Sequence, residues 1–210
     1  MAEQVVNEST VDSGRRRFLT ATTAVVGGVG AIFAAVPFVK SWQPSARAEL
    51  AGAPVTVDIS KLEAGQRLML GSNVPQWRGQ PIWIIRRTPE TLAALPALDD
   101  RLRDPASDKH PDQQPAYAQN EHRSIKPEIL VLVGICTHLG CSPLFEGKLE
   151  PKPYDADWKG GFFCPCHGSK FDMAGRVYQG VPAPYNLKVP PYKFVDDTTI
   201  VIGVNPDQAA

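Results

Sequence analysis

The chain has 210 residues and no net charge, because 22 Lys and Arg residues balance 22 Asp and Glu residues. This length holds one ordinary domain with additional segments, and the charge balance excludes a chain that binds nucleic acid through its overall field. Its 20 prolines, most of them after residue 80, are roughly twice the usual share and favour short strands and shaped loops. We therefore expect a mainly β domain.

The N-terminal segment predicts a membrane anchor. Residues 1–14 are polar and have no predicted structure, whereas residues 15–40 begin with three arginines and continue as an apolar run without charge at 18–39. A helix of about 22 residues extends about 33 Å, which crosses a bilayer core of roughly 30 Å and exceeds a secretory signal core. Arginines on the N-terminal side place that end in the cytoplasm. The sequence thus predicts one retained, single-pass helix.

Residues 15–19 (RRRFL) resemble a twin-arginine export signal, which a receptor reads on proteins that are exported already folded. Alternatively, the arginines only fix the topology. The acidic residues Glu3, Glu8 and Asp12 argue against a mitochondrial presequence. Export would place the remaining chain on the periplasmic side of a bacterial inner membrane.

Residues 41–54 are rich in Ala, Ser, Gly and Pro and predict a flexible hinge linker to a domain at 55–210. Apolar alternation and turn residues predict the elements of that domain. These are strands at 54–59, 66–70, 80–87, 129–133, 160–163 and 176–178, a short helix at 91–95 capped by Thr88, a glycine turn at 172–175, and a hairpin at 192–204. Residues 99–127 predict a long loop that is functional, covered by a partner or weakly ordered. Its two histidines, His110 and His122, are expected to be ordinary surface residues.

Every cysteine lies in one of two short runs, residues 136–141 (CTHLGC) and residues 164–169 (CPCHGS), and each run also contains a histidine. The second run is one residue too short for a c-type haem site, and no thioredoxin-like pair of cysteines is present. Four disulfide cysteines would leave the histidines unexplained. A structural zinc bound by Cys and His remains an alternative.

Both runs resemble the Rieske iron–sulfur signature at every position. The resemblance implies that Cys136 and Cys164 bind the inner iron of one 2Fe–2S cluster, and that His138 and His167 bind the outer iron. Two thiolates cancel the formal charge of two ferric ions and two sulfides, whereas four thiolates leave an anion that accepts an electron less readily. The mixed ligand set therefore raises the potential from about −400 mV to roughly −150 to +300 mV, which suits electrons from a quinol.

The same resemblance implies roles for other residues near the cluster. Cys141 and Cys166 would form a disulfide between the loops, which fits an oxidising compartment and agrees with the export signal. Ser169 would bond a bridging sulfide, residues 181–184 (VPAP) would shield the cluster, and Leu139 would flank it where quinol docks. The cluster-binding subdomain is expected at about 134–185, at one end of an antiparallel β-sandwich.

One position departs from the family pattern. High-potential members usually carry a tyrosine two residues after the serine, and this chain has Phe171 there. Phenylalanine cannot donate the hydrogen bond to a cysteine sulfur, so we expect a lower potential than in a tyrosine-bearing relative.

Most of the chain resembles the Rieske subunit of bacterial ubiquinol–cytochrome c reductases. This likeness implies a subunit of a dimeric membrane complex that takes one electron from ubiquinol at a cytochrome b subunit and passes it to a c-type cytochrome subunit. A free ring nitrogen of a histidine ligand, His138 or His167, would take the accompanying proton. Three alternatives remain at this point: a Rieske subunit of an arsenite-oxidase-type complex, a Rieske ferredoxin or oxygenase component, and a zinc-stabilised binding module.

Overall fold

The computed structural model describes residues 12–70 and 73–207. The chain divides into two compact units, residues 1–47 and residues 48–210, and each is described by itself. Of the predicted segments, the polar tail lies almost wholly outside the described residues, since only its end from Asp12 onwards is described.

The first unit contains helix α1, Ser13–Lys40, which is longer at its N-terminal end than the apolar run alone predicts. The extension has a local cause, because the Asp12 side chain accepts hydrogen bonds from the N–H groups of Gly14 and Arg15 and so caps the helix. Thr20 and Thr23 donate their hydroxyls to backbone carbonyls one turn back, both at 2.9 Å. Within the described residues, α1 is the one helix long and apolar enough to cross a membrane.

The linker predicted at 41–54 contains a short helix, α2, Ala46–Gly52. Hydrophobic periodicity does not reveal this helix, because seven residues are too few to show a helical repeat. The boundaries of the linker stay a prediction.

The described residues of the second unit form three antiparallel sheets of three strands each. The strand orders are β1-β9-β8, β2-β3-β4 and β5-β6-β7. The strands are β1 Val55–Asp58, β2 Gln76–Trp77, β3 Gln80–Arg86, β4 Ile129–Val133, β5 Leu144–Glu146, β6 Gly161–Cys164, β7 Ser169–Phe171, β8 Tyr192–Phe194 and β9 Thr199–Ile202. Helix α3, Pro89–Ala94, follows β3 and is capped by Thr88 as predicted. The mainly β fold is confirmed.

Strands β3 and β4 form the centre of the core. They pair from Ile82 opposite Val133 to Arg86 opposite Ile129, and every residue of β4 is buried. Burial of both faces explains why β4 reads as a continuous apolar run rather than an alternating one. The Trp83 ring stacks on Phe162 of β6 with 5.2 Å between ring centroids, which joins this sheet to the one that carries the second cysteine run.

Two predicted strands are wrong. The segment at 66–70 forms only isolated bridges, one from Arg67 to Ile85, and the segment at 176–178 forms bridges from Val177 to Phe171 and from Tyr178 to Leu102. Neither segment runs beside a neighbouring strand for long enough to form a ladder.

The segment at 99–127 is not weakly ordered. Short 3-10 helices at Pro96–Arg101, Pro111–Gln113 and Ala116–Ala118 shape it. Arg123 within it is fully buried and donates to the carbonyls of Ala174 and Gly175 and to the side chain of Gln114. The segment is therefore packed against the glycine turn that follows β7, in the cluster-binding half of the domain.

Candidate metal centre

The first cysteine loop follows β4 and is closed by its own backbone. The N–H of Cys136 donates to the carbonyl of Cys141 at 2.8 Å, and the N–H of Gly140 donates to the carbonyl of Cys136 at 3.1 Å. Gly140 has a φ of 82°, a backbone conformation that glycine adopts without steric cost. Just before the loop, Gly134 lies against the Trp83 indole, where a Cβ would collide with the ring.

The second cysteine loop is closed by the same kind of backbone hydrogen bond to a glycine. It connects β6 to β7, so Cys164 and Ser169 lie opposite each other in the ladder. The N–H of Gly168 donates to the carbonyl of Cys164 at 2.9 Å, with a φ of 74° at the glycine. In each loop the glycine four residues after the first cysteine closes the turn, which fixes the cysteine at the loop base and lifts the histidine towards its tip.

The structure brings the four predicted ligands together as an inner and an outer pair. Cys136 and Cys164 are free thiols with exposures of only 2% and 1%. His138 is half-buried and His167 is exposed, and their rings lie 4.7 Å apart at an angle of 87°. Two buried thiols below two outward histidines match the unequal ends of a Rieske cluster.

Two local features fit a metal cluster at this place. Nδ1 of His138 is buried, and no group among the described residues forms a hydrogen bond with it. A buried nitrogen without a partner is costly, and metal binding would satisfy it. Nδ1 of His122 is buried in the same way, but His138 also lies against His167. Burial also raises the pKa of the Cys136 thiol, and a bound cation would stabilise its thiolate. The donor set of two thiolates and two imidazoles therefore suits a 2Fe–2S cluster.

Cys141 and Cys166 form a disulfide that joins the tips of the two loops, as the sequence resemblance implied. The sulfurs of Cys141, Cys164 and Cys166 lie within 4.8 Å of one another, which by distance alone resembles a metal site. Two of the three are consumed by the disulfide, so this trio does not replace the four-ligand set.

Removing the disulfide by the double substitution Cys141→Ala and Cys166→Ala should lower the stability of the loaded domain by about 2–5 kcal/mol. The bond closes a segment with a sequence separation of 25, and its loss frees the two loops to move apart. Denaturant titration followed by the visible circular dichroism of the cluster measures the effect. An unchanged unfolding midpoint would contradict the structural role of this disulfide.

A third loop, residues 181–185, contains the predicted shielding residues 181–184 and is bound to both cysteine loops. The Ser169 hydroxyl accepts the N–H of Ala183 at 3.0 Å, and it also lies within hydrogen-bonding reach of the Cys136 thiol. The Thr137 hydroxyl donates to the carbonyl of Tyr185 at 2.6 Å. Thr137 and Tyr185 were not singled out from the sequence, because a hydrogen bond between residues this far apart leaves no local pattern.

Leu139 and Phe171 lie in opposite environments. Leu139 is 71% exposed beside the histidine tips, although a large apolar side chain is normally covered. Phe171 is fully buried at the end of β7.

The two histidines expected to be ordinary lie outside the four-ligand set: His110 packs edge-on against Tyr185, and His122 pairs with Glu121.

Below the loops, an Asp–Arg pair holds the glycine turn. Asp172 accepts the backbone N–H groups of Ala174 and Arg176 and the Arg176 guanidinium at 2.7 Å. Arg176 also donates to Asp99 and to the carbonyl of Leu95. This turn therefore ties the end of β7 to the segment before residue 105, which sequence reasoning did not find.

The fold and the two looped Cys–His runs define a Rieske 2Fe–2S domain. A model of the Rieske [2Fe-2S] domain matches residues 112–192, and a model described as "Ubiquitinol-cytochrome C reductase Fe-S subunit TAT signal" matches residues 6–45.

Named relatives match nearly the whole chain. The "Ubiquinol-cytochrome c reductase iron-sulfur subunit" of Allochromatium vinosum is 56% identical over 92% of this chain and 90% of its own length. The subunit of the same name from Rhodospirillum rubrum is 42% identical over 96% of this chain and 98% of its own. The "Cytochrome b-c1 complex subunit Rieske, mitochondrial" of Schizosaccharomyces pombe is 40% identical, over 86% of this chain and 69% of its own length. This chain belongs to the family of ubiquinol–cytochrome c reductase iron–sulfur subunits, and an arsenite-oxidase-type subunit is not favoured.

Proposed function

We propose that Cys136 and Cys164 bind one iron of the 2Fe–2S cluster and that His138 and His167 bind the other. This assignment rests on one observation: two loops closed by the same hydrogen bond each carry one buried free thiol and one outward histidine. The disulfide and the contacts of Ser169 and Thr137 with the third loop support it, because they hold the loops at a fixed separation.

The chain serves quinol oxidation in a respiratory complex. When bound, the cluster supplies a one-electron acceptor of high potential, because two of its ligands are neutral imidazoles. His167 is exposed, so its ring can reach a quinol hydroxyl and accept its proton through the nitrogen that does not bind iron. The exposed Leu139 provides apolar contact for a quinol ring beside that nitrogen.

The chain is membrane-anchored and works with cytochrome partners. We propose that residues 15–40 stay in the bacterial inner membrane as an uncleaved anchor, with the domain at 55–210 on the periplasmic side. Electrons would arrive from ubiquinol at a cytochrome b subunit and leave to a c-type cytochrome subunit, within a dimeric complex. The apolar length of α1 and the match of residues 6–45 to an export-signal model support this arrangement. The linker at 41–54 would let the domain move between its two redox partners.

Replacing Phe171 with tyrosine should raise the midpoint potential by tens of mV, at most about 100 mV. A hydrogen bond to a charged group contributes on the order of 1.5–3 kcal/mol, and the potential changes only by the part of it that differs between the two redox states. Phe171 is fully buried, so the added hydroxyl must donate its hydrogen bond to a protein group rather than to water. That hydrogen bond stabilises the reduced cluster more than the oxidised one. Phe163→Tyr is the matched control: its ring stacks on Tyr154 at 3.9 Å, and it should leave the potential unchanged. An equal or lower midpoint for Phe171→Tyr, measured by redox titration, would reject the hypothesis.

The proposed function is tested by electron transfer in membranes that contain the complete complex. Flash or stopped-flow reduction of the c-type cytochrome by quinol should require this chain and should stop when a quinol-site inhibitor is added. Normal cytochrome reduction in membranes that lack the chain would rule the function out.

A further inference from the structure

A free thiol lies beside the disulfide in the cluster-binding loops. The sulfurs of Cys141, Cys164 and Cys166 are within 4.8 Å of one another, and only Cys141 and Cys166 are bonded together. Cys164 is buried and unbonded. A thiolate in this position is the nucleophile of thiol–disulfide exchange, which proceeds by direct attack of one sulfur on another.

We propose that this trio is an exchange site that the cluster keeps inactive. The idea rests on the assignment of Cys164 as an iron ligand. While iron occupies its sulfur, Cys164 has no free thiolate. When the cluster is lost, the Cys164 thiolate attacks Sγ of Cys141, a Cys141–Cys164 bond forms, the Cys141–Cys166 bond breaks, and Cys166 leaves as a thiolate. No oxidant or reductant is consumed, because one thiolate and one disulfide yield one thiolate and one disulfide.

The geometry favours Cys141 as the sulfur that is attacked. Attack on Cys166 would form a disulfide between two cysteines that are separated by one residue. Such a bond would be strained, because an unstrained disulfide needs its Cβ atoms about 3.5–4.5 Å apart. Attack on Cys141 instead yields a bond that still joins the two loops. The leaving group is then Cys166, which is exposed, so its thiolate is stabilised by water.

The geometry also distinguishes the two free cysteines. Cys136 is as buried as Cys164, yet its sulfur lies outside the group of three. Exchange in the folded domain should therefore use Cys164 and spare Cys136, whereas random scrambling in an unfolded chain would use both.

The consequence concerns loss and repair of the cluster. Exchange removes one iron ligand and frees an exposed thiol, so a chain that has lost its cluster could not take up a new one until a reductant reopened the Cys141–Cys164 bond. An oxidising compartment would not supply that reductant. Loss of the cluster outside the cytoplasm would then be irreversible.

Disulfide mapping of the full-length chain in detergent tests the proposal. The cluster is released with acid and a chelator under argon, conditions in which thiols stay protonated and exchange is halted. The pH is then raised to about 8.5, near the ordinary pKa of a thiol. Samples are quenched with acid at intervals, alkylated, digested and sequenced by mass spectrometry. Alkylation should move from Cys164 to Cys166, and the Cys141–Cys164 bond should become the major species.

Two single variants serve as matched controls. Cys136→Ala lacks a proposed cluster ligand and needs no release step, so it should already carry the Cys141–Cys164 bond when isolated. Cys164→Ala should retain the Cys141–Cys166 bond throughout. A persistent Cys141–Cys166 bond in the wild type, or exchange through Cys136 at an equal rate, would overturn the proposal. Iron content and the EPR spectrum before release report separately on the cluster, so their absence would count against the proposed function and not against the exchange reaction.

Discussion

Replacing His167 with alanine removes the Rieske-type EPR signal from reduced membranes and lowers cluster content by more than about 100-fold, since even outer-shell changes at metal sites cost 10–100-fold. The outer iron would keep one protein ligand and would be open to water, because His167 is exposed. The fold should survive, since this side chain makes no part of the buried core. Iron analysis and EPR on the same membranes measure the loss.

The matched control is His122→Ala. The His122 ring contacts Glu121. The backbone of His122 accepts from Arg87 and donates to Asn120, so alanine keeps both backbone hydrogen bonds. Its removal should leave the signal and the iron content as in the wild type. A full EPR signal in His167→Ala, or equal losses in the two variants, would show that the ligand assignment is wrong.

Replacing Arg176 with methionine should destabilise the domain by about 3–5 kcal/mol, since a buried carboxylate is left without its partner. Arg176 is 1% exposed and Asp172 is fully buried, and they meet at 2.7 Å. Such a loss is a large part of a typical folding free energy of about 5–15 kcal/mol. Denaturant unfolding followed by tryptophan fluorescence measures it.

Two further variants test whether the loss of stability comes from the unpaired Asp172 carboxylate. Adding Asp172→Asn to Arg176→Met removes the unpaired charge but keeps an oxygen for the backbone N–H groups of the turn, so the double variant should recover part of the loss. Arg103→Met removes an exposed guanidinium that donates to the carbonyl of Val181, and it should cost less than about 0.5 kcal/mol. Equal costs for Arg176→Met and Arg103→Met would contradict the role of the buried pair.

Sequence reasoning succeeded where the determining interactions are local. The strands at 80–86 and 129–133 follow from their apolar runs, the cap of α3 from Thr88 and the turn before Arg176 from its glycine. The 2Fe–2S cofactor could be predicted because the cysteines, histidines and turn glycines of its signature lie within two short runs of chain, and the assignment of the four ligands stays a prediction.

The rest depends on contacts between distant parts of the chain. The polar segment at 99–127 reads as a loose loop, yet it is ordered because Arg123 is buried against the turn at 172–175 some fifty residues away. The bond from Thr137 to the carbonyl of Tyr185 also spans 48 residues. Hydrogen bonds to backbone carbonyls do not depend on the partner's side chain, so neither contact produces a pattern in the sequence.

EPR of dithionite-reduced membranes, recorded with and without a quinol-site inhibitor, tests the central claim most directly. A cluster bound by Cys136, Cys164, His138 and His167 at the quinol-oxidising face should give a Rieske-type signal. The inhibitor should shift that signal, because it would contact the exposed histidine tip in place of quinol. Membranes that contain the chain but give no Rieske-type signal would contradict the cluster, and a signal unmoved by the inhibitor would contradict its place in quinol oxidation.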